Sequence, residues 1–172
     1  MKRNVAAIVI LFVFTASSIA KDYRVSSPDG KIAVTVKDGP GLKWSATYNG
    51  QTIIADAGAG LRLSSGLLPG EKEMVRKAVY GKIDQVLTPV VPVKRSVVPD
   101  KCNVMTITFK SGISAQFRVY DDGIAYRFET TLKNRIIINN ETADLQFPGG
   151  SFSWYPLEDS FMSHNERLYT YT

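Results

Sequence analysis

The chain has 172 residues, of which 44% are hydrophobic, and carries a formal net charge of +5 at pH 7. This length suits one domain of ordinary size, and the apolar fraction is normal for a packed core, which excludes wholesale disorder. A single cysteine excludes an internal disulfide, and one cysteine with one histidine excludes a zinc site built from two of each. Composition therefore removes several classes of enzyme and metal protein but selects none.

The first twenty residues have the pattern of a secretory signal peptide. Lys2 and Arg3 give a positive start, residues 5–14 are an unbroken apolar run, and small side chains at Ser18 and Ala20 precede the predicted cleavage. An uncleaved membrane anchor is disfavoured because a spanning helix needs roughly 20 apolar residues. We therefore predict a signal peptide over 1–20 and a secreted chain of the bacterial periplasm over 21–172, with no membrane span after cleavage.

The basic residues of the predicted mature chain are scattered. Adjacent pairs occur only at Arg76 with Lys77 and at Lys94 with Arg95. A nucleic-acid-binding protein would show a basic stripe or a known recognition module. We predict no nucleic-acid partner and interpret the charge as a solvated surface.

Apolar residues recur with a period of two through most of the chain, which is typical of half-buried strands. In chain order, this pattern predicts strands over 31–36, 42–48, 51–54, 103–109, 113–120, 124–130, 135–138 and 143–147. Asn49 and Gly50 form a strong hairpin signal between two of them, and the regular spacing of turn signals is typical of a sandwich or barrel. The predicted fold is all-β and antiparallel, with two packed sheets.

Two stretches interrupt this pattern. Residues 64–77 contain Gly66, Pro69 and Gly70, followed by a short charged piece that is compatible with one helical turn. Residues 88–100 contain three prolines, which favour a long connection or an interrupted edge strand.

Aromatic and acidic side chains concentrate near the C-terminus. Glu158 and Asp159 are adjacent and would point to opposite faces of a strand, which disfavours a joint catalytic role. His164 has no matched partner as a base or ligand. The aromatic residues suit stacking on a sugar ring or, as we favour, an interface with a further domain; they are Trp154, Tyr155, Phe161 and Tyr169. The sequence stops in mid-pattern at Thr172, so we expect a domain cut from a longer protein.

Residues 117–128, FRVYDDGIAYRF, resemble the central motif of the N-terminal domain of glycoside hydrolase family 97. Residues 26–30 resemble the family's SPDG element, and residues 42–54 resemble its LxYxVxYNGkxVi hairpin. Residues 164–169 resemble its S-x-E-x-x-Y segment. The resemblance covers essentially all of residues 21–172.

The resemblance implies a secreted, calcium-dependent, exo-acting α-glucosidase or α-galactosidase in three parts. These are an N-terminal β-supersandwich similar to galactose mutarotase, a central (β/α)₈ barrel and a small C-terminal β-domain. Residues 21–172 would be the supersandwich, packed on the barrel beside an α-linked glucoside or galactoside oligosaccharide. The resemblance also implies one calcium ligand here, Glu166. The alternative for Glu166 is a solvated surface carboxylate, and a lone carboxylate would bind weakly because calcium takes about six to eight oxygen ligands.

This chain alone is not expected to hydrolyse a glycoside. Hydrolysis needs two carboxyl groups about 5–9.5 Å apart, which in the family come from the barrel, and a barrel takes about 250 residues. The alternatives are a free-standing carbohydrate-binding module and a non-functional product of a truncated gene. A mutarotase-like epimerase is disfavoured because it needs a His and a Glu in one groove, and the chain has one histidine.

Other conspicuous residues have structural interpretations. Residues 121–123, Asp-Asp-Gly, predict a turn in preference to a metal site, because Asp and Gly both tolerate left-handed backbone. Arg118 and Arg127 are expected to pair across the hairpin with acids such as Glu129 or Asp122. Cys102 is expected to be inert.

Overall fold

The computed structural model describes residues 22–37, 39–92 and 94–152. Over these ranges the chain forms nine strands: β1 (Tyr23–Ser26), β2 (Ile32–Lys37), β3 (Leu42–Tyr48), β4 (Gln51–Leu63), β5 (Val75–Leu87), β6 (Val98–Phe109), β7 (Ile113–Val119), β8 (Ile124–Thr130) and β9 (Ile138–Gln146). No helix that is long and apolar enough to cross a membrane occurs in this part of the chain.

The strands form two antiparallel sheets. The first sheet has the order β1-β2-β3-β4-β9, and the second has the order β5-β6-β7-β8. Neighbouring strands within each sheet pair antiparallel. The predicted all-β antiparallel sandwich is confirmed.

The inner faces of the two sheets meet in one apolar core. Along β7 the buried residues alternate with half-buried ones, as a period of two requires, and the second sheet adds Met105, Ile107 and Phe109 of β6. The first sheet contributes Val34, Val36, Leu42 and Trp44, among others. The Trp44 ring meets Phe117 of β7 edge-on, with ring centroids 5.5 Å apart, so the largest side chains of the two sheets interlock.

The hairpin between β3 and β4 has the predicted turn. Asn49 and Gly50 both have positive φ, 49° and 80°, and the flanking residues Tyr48 and Gln51 are register partners. Positive φ at both central residues is the requirement of a type I′ turn, which matches the right-handed twist of the strands.

The structure corrects several strand predictions. β1 and β5 were not predicted, and β4 continues to Leu63 rather than ending near Ile54. One strand, β9, replaces the two predicted over 135–138 and 143–147. Most side chains of β5 and β9 are exposed, so neither strand shows the alternation of buried and exposed residues by which a strand is predicted. In β4 the small residues Gly and Ala make the alternation of apolar and polar side chains hard to recognise in the sequence.

The two stretches that interrupt the strand pattern, residues 64–77 and 88–100, have different structures. In the first, the Leu68 carbonyl accepts from the N–H groups of Glu71 and Lys72, which closes a single turn before β5 begins. In the second, the connection ends at Val97 and Pro99 already lies in β6. Proline is tolerated there because β7 pairs with β6 only from Asn103 onward, so this end of β6 has a partner on one side only.

Candidate functional site

The predicted metal ligand lies outside the described residues. Glu166 belongs to residues 153–172, and so do the other C-terminal candidates Trp154, Tyr155, Glu158, Asp159, Phe161, His164 and Tyr169. In the part of the chain that the structure describes, no three or more His, Cys, Asp or Glu side chains form a group that could hold a metal ion. The calcium ligand therefore stays a prediction.

The motif residues that carried the resemblance meet at one end of the sandwich. The backbone N–H of Asp29, in the β1–β2 turn, donates to Asp121 Oδ1 in the β7–β8 turn at 2.8 Å. Nearby, the Asn103 side-chain amide of β6 donates to the Ser26 carbonyl of β1 at 2.7 Å. We call these four residues the clip. Both bonds join one sheet to the other, so the two most recognisable turns of the sequence have a structural role.

The clip turn on the first sheet is built around the Asp29 carboxylate. Its Oδ1 accepts from the Ser27 hydroxyl at 2.7 Å and from the Lys31 N–H at 3.0 Å, and its Oδ2 lies 3.0 Å from Lys31 Nζ. The Ser27 hydroxyl, then the Lys31 N–H and ammonium, hold the pKa of Asp29 well below its usual range. The predicted turn at residues 121–123 is confirmed, since the Tyr120 N–H donates to the Gly123 carbonyl.

A second cluster lies where β5 and β6 leave the sandwich. The last β6–β7 register pair is Asn103 with Val119, whereas β5 and β6 continue to pair as far as Leu87 with Val98. The pair therefore projects as a two-stranded ribbon, formed by residues 83–87 and 98–102. We call these residues the ribbon.

The base of the ribbon is fixed to β7 through Asp100. This residue is 6% exposed, and it accepts from the Gln85 amide at 2.8 Å and from the Tyr120 hydroxyl at 2.9 Å. Arg118 Nη1 lies 3.7 Å from the same carboxylate, and its Nε donates to Gln116 at 3.2 Å. Asp100 therefore ties the two strands of the ribbon together and holds both to the end of β7.

The electrostatics of this Asp100 cluster favour the charged carboxylate. Hydrogen bonds from Gln85 and Tyr120, with the nearby Arg118, lower the pKa of Asp100, and burial raises the pKa of the Tyr120 hydroxyl. A carboxylate with a lowered pKa and both oxygens engaged is a poor proton donor. Asp100 consequently suits a positioning role and does not suit general acid catalysis.

The predicted arginine pairings are confirmed in part. Arg127 pairs with the predicted acid Glu129, but along β8 and not across the hairpin. Arg118 pairs with Asp100, which the prediction did not name. Cys102, beside this cluster, is a buried free thiol.

A shallow groove of about 320 Å³ lies on the outer face of the first sheet. Gly58 and Gly60 of β4 form its floor, and Lys43 of β3 and Asp144 of β9 flank Gly58 as its register partners. Above the floor, Glu71 pairs with Arg62 at 3.2 Å. The groove is lined by basic and acidic side chains that can form hydrogen bonds, but by no aromatic side chain that could stack on a sugar ring.

Comparison with known proteins decides the family. The profile of the family Glycosyl-hydrolase 97 N-terminal matches residues 25–172. The chain belongs to this family. A retaining alpha-galactosidase of Bacteroides thetaiotaomicron is 27% identical over 148 residues, which are 86% of this chain and 22% of that protein.

Solved structures of a Glycoside Hydrolase Family 97 enzyme and of a second glycosidase share the fold. An enzyme from Pseudoalteromonas sp. strain K8, determined with panose and with acarbose, has a TM-score of 0.63 at 22% identity over 74% of this chain and 20% of its own. A beta-arabinopyranosidase has a TM-score of 0.65 at 23% identity over 74% of this chain and 22% of its own. The 172-residue chain thus spans about a fifth of the length of these relatives.

Sequence reasoning missed the central residue of the ribbon base. Asp100 stands between Pro99 and Lys101, in a stretch that was interpreted as a connection. Arg118 and Tyr120 belong to the family 97 motif, and Tyr120 was counted only as part of a predicted strand. An available signal was Asp100 itself, an acid directly after the prolines and three positions before the predicted strand at 103–109.

Proposed function

We propose that the chain is the N-terminal domain of an exported α-glycoside hydrolase, where it forms one wall of the substrate site and provides a calcium ligand, Glu166. The observation that carries this proposal is the family match over residues 25–172, together with relatives of about five times the matched length that are glycoside-acting enzymes. Residues 1–20 would direct export to the periplasm, and the substrate would be an α-linked glucoside or galactoside oligosaccharide.

Two of the described acids, Asp29 and Asp100, do not suit general acid catalysis. Glycoside hydrolysis needs a carboxylic acid with a raised pKa to protonate the leaving oxygen. The pKa values of Asp29 and Asp100 are both lowered, and the oxygens of both carboxylates accept hydrogen bonds within the domain. In the proposal, the catalytic carboxylates come from the rest of a longer polypeptide, and this chain alone is inactive.

Glu166 would act across the border between the two parts of that polypeptide. Calcium takes about six to eight oxygen ligands, so Glu166 would share the ion with oxygen atoms from outside the domain. Bound there, the ion would supply positive charge close to the substrate. The Glu166 carboxylate would then couple the position of this domain to the assembly of the substrate site.

The first test is the intact mass and the activity of the product isolated from its native host. The 172-residue chain has a mass of 19.0 kDa, and we expect a product several times larger. It should hydrolyse an aryl α-galactoside or α-glucoside, lose activity in a chelator and regain it with calcium. Glu166→Gln should raise the calcium concentration needed for half-maximal activity at least tenfold.

Glu141→Gln is the matched control, because Glu141 is an exposed glutamate of β9. It should leave the calcium requirement unchanged. A product with the mass of the short chain would overturn the enzyme proposal; saturable sugar binding by that chain would then identify a carbohydrate-binding module, and its absence a non-functional product. Equal calcium dependence of Glu166→Gln and the parent enzyme would remove the ligand role.

A further inference from the structure

The free end of the ribbon exposes more apolar surface than a water-facing loop should. We call residues 86–92 and 94–98 the tip. Six large apolar side chains of the tip are exposed, from Val98 at 37% to Val90, which is fully exposed; the others are Val86, Leu87, Val91 and Val97. Contiguous apolar patches of this kind on a soluble domain mark interaction sites.

The composition of the tip defines the chemistry of its partner. Lys94 and Arg95 lie beside Pro89, Val91 and Val98 around an apolar cleft of about 580 Å³. Residues 86–98 contain no acid, so the tip carries two positive charges. A complementary surface is therefore apolar and bordered by carboxylates.

The tip is suited to docking through its side chains and not by strand addition. Pro89 and Pro92 have no backbone N–H and cannot donate to a strand laid alongside. The strands below the tip are aligned by the Asp100 cluster: Asp100 joins Gln85 across the ribbon and accepts from Tyr120, the residue directly after β7. A rigid base that presents an apolar end lowers the entropic cost of docking.

Two other occupants fit the tip less well. A second copy of the chain, docked tip to tip, would bring two pairs of like charges together in an apolar contact, which is unfavourable. Insertion into a lipid surface is typically anchored by Trp and Tyr at the interface, and residues 86–98 contain no aromatic side chain.

We propose that the tip docks onto the part of a family 97 polypeptide that lies outside the segment matched by this chain. This inference rests on the proposed function, in which the domain belongs to a longer enzyme. The match covers 22% of the Bacteroides alpha-galactosidase, so most of such a polypeptide is available as the partner. The tip acts as a strut, and the Asp100 cluster sets its direction.

Cysteine labelling tests the strut directly. Val90→Cys places a thiol at the most exposed position of the tip, and Asp122→Cys places one in the exposed β7–β8 turn as a control. The native Cys102 is 1% exposed and gives a low background. Each variant is labelled with a maleimide in two forms, the 172-residue chain expressed alone and the product made from the native gene in its host.

In the chain alone, both thiols should react at similar rates. In the native product, labelling of Val90→Cys should slow at least tenfold while that of Asp122→Cys changes little. Adding the charge reversals Lys94→Glu and Arg95→Glu to Val90→Cys should restore most of the labelling rate in the native product, because carboxylates of the partner would then be repelled. Lys133→Glu, in the loop before β9, serves as the control for a charge reversal elsewhere.

Four outcomes would overturn the inference. Equal labelling of Val90→Cys in both forms would show that nothing covers the tip, even where the mass of the native product supports the proposed function. Protection that is lost in detergent would identify a membrane instead, and protection that grows with the concentration of the chain alone would identify a second copy. A native product with the mass of the short chain would overturn the proposed function as well, so the two failures are distinguishable.

Discussion

The β5–β6 hairpin has two halves that share one backbone geometry and differ in their surroundings. In the half nearer Val75 and Phe109, the first sheet lies opposite, and Ile107 and Phe109 are fully buried. In the other half, Asp100 and Cys102 at the base of the ribbon are still buried, but Val86 farther out is 66% exposed. Strands β5 and β6 pair in both halves, with one register shift between Val75 and Lys77. The comparison shows that backbone pairing alone does not bury side chains, and that a second layer is needed.

The sharpest way to test this comparison is to remove an apolar side chain from each region. Phe117→Ala deletes a fully buried ring that contacts Trp44 and Tyr126, and we expect a loss of about 3–5 kcal/mol in the free energy of unfolding. Val90→Ala, at the exposed tip of the isolated chain, should change stability by less than about 0.5 kcal/mol. Urea denaturation of the full chain measures both values. Similar losses for the two variants would contradict the division into a buried half and an exposed half.

A pair of glycines tests how tightly the packed region is closed. Gly70 and Gly30 have the same φ of +77°, so an alanine at either position meets the same backbone strain, about 1–2 kcal/mol. A Cβ on Gly70 would lie 2.4 Å from the Ala59 carbonyl oxygen, whereas a Cβ on Gly30 would have no neighbour within 4 Å. Gly70→Ala should therefore cost at least about twice as much as Gly30→Ala.

Thermal or urea unfolding of the two glycine variants is the measurement. Because the backbone strain is shared, the difference between them isolates the steric contact with β4. If Gly70→Ala were no worse than Gly30→Ala, the turn over residues 68–72 would be free to move away from the sheet. The packed region would then be looser at this end than the described contacts indicate.

The sequence predicted β2, β3, β7 and the part of β6 that faces the first sheet. The alternation of polar and apolar residues from Asn103 to Phe109 could be recognised because Met105, Ile107 and Phe109 enter the core. The strand over 113–119 was predicted for the same reason. The part of β6 from Val98 to Cys102 was not predicted, because its buried side chains, Asp100 and Cys102, are not the large apolar residues by which a buried face is recognised in a sequence. A period of two reports burial of one face, not strand pairing itself.

The candidate sites were less predictable than the fold. The Asp100 cluster depends on the register that places Gln85 opposite Asp100, and on the end of β7, after which the Tyr120 hydroxyl reaches Asp100. These contacts join residues 15 and 20 positions apart, and no local pattern encodes them. The clip turns were recognised as motifs, yet their contact with each other, across 92 positions, required the fold.

The smallest expected effect concerns the clip, and it is a dependence on pH. The pKa of Asp29 is lower in the folded protein than in the unfolded chain, where a carboxyl of this type titrates near about 3.9. The folded state thus binds a proton less readily, and the stabilisation from Asp29 is complete above that value and is lost as the pH falls below it. The exposed, salt-screened Lys31 contributes to this, but the largest cause is the hydrogen bond from Ser27, which salt screens little.

Urea midpoints of the parent chain and of Asp29→Asn, measured between about pH 5 and pH 3, test the clip. Asp100 also has a lowered pKa and adds to the decline in both proteins, so the informative quantity is the difference between their slopes. The parent should lose stability more steeply, since the asparagine variant has no carboxyl to protonate at this turn. Ser27→Ala should bring the slope of the parent towards that of Asp29→Asn, although it lowers stability at every pH because Ser27 also accepts from the Ile32 N–H. Parallel curves for the parent and Asp29→Asn would show that the clip holds the two sheets together without the charge of Asp29, through the Asp29–Asp121 and Asn103–Ser26 hydrogen bonds.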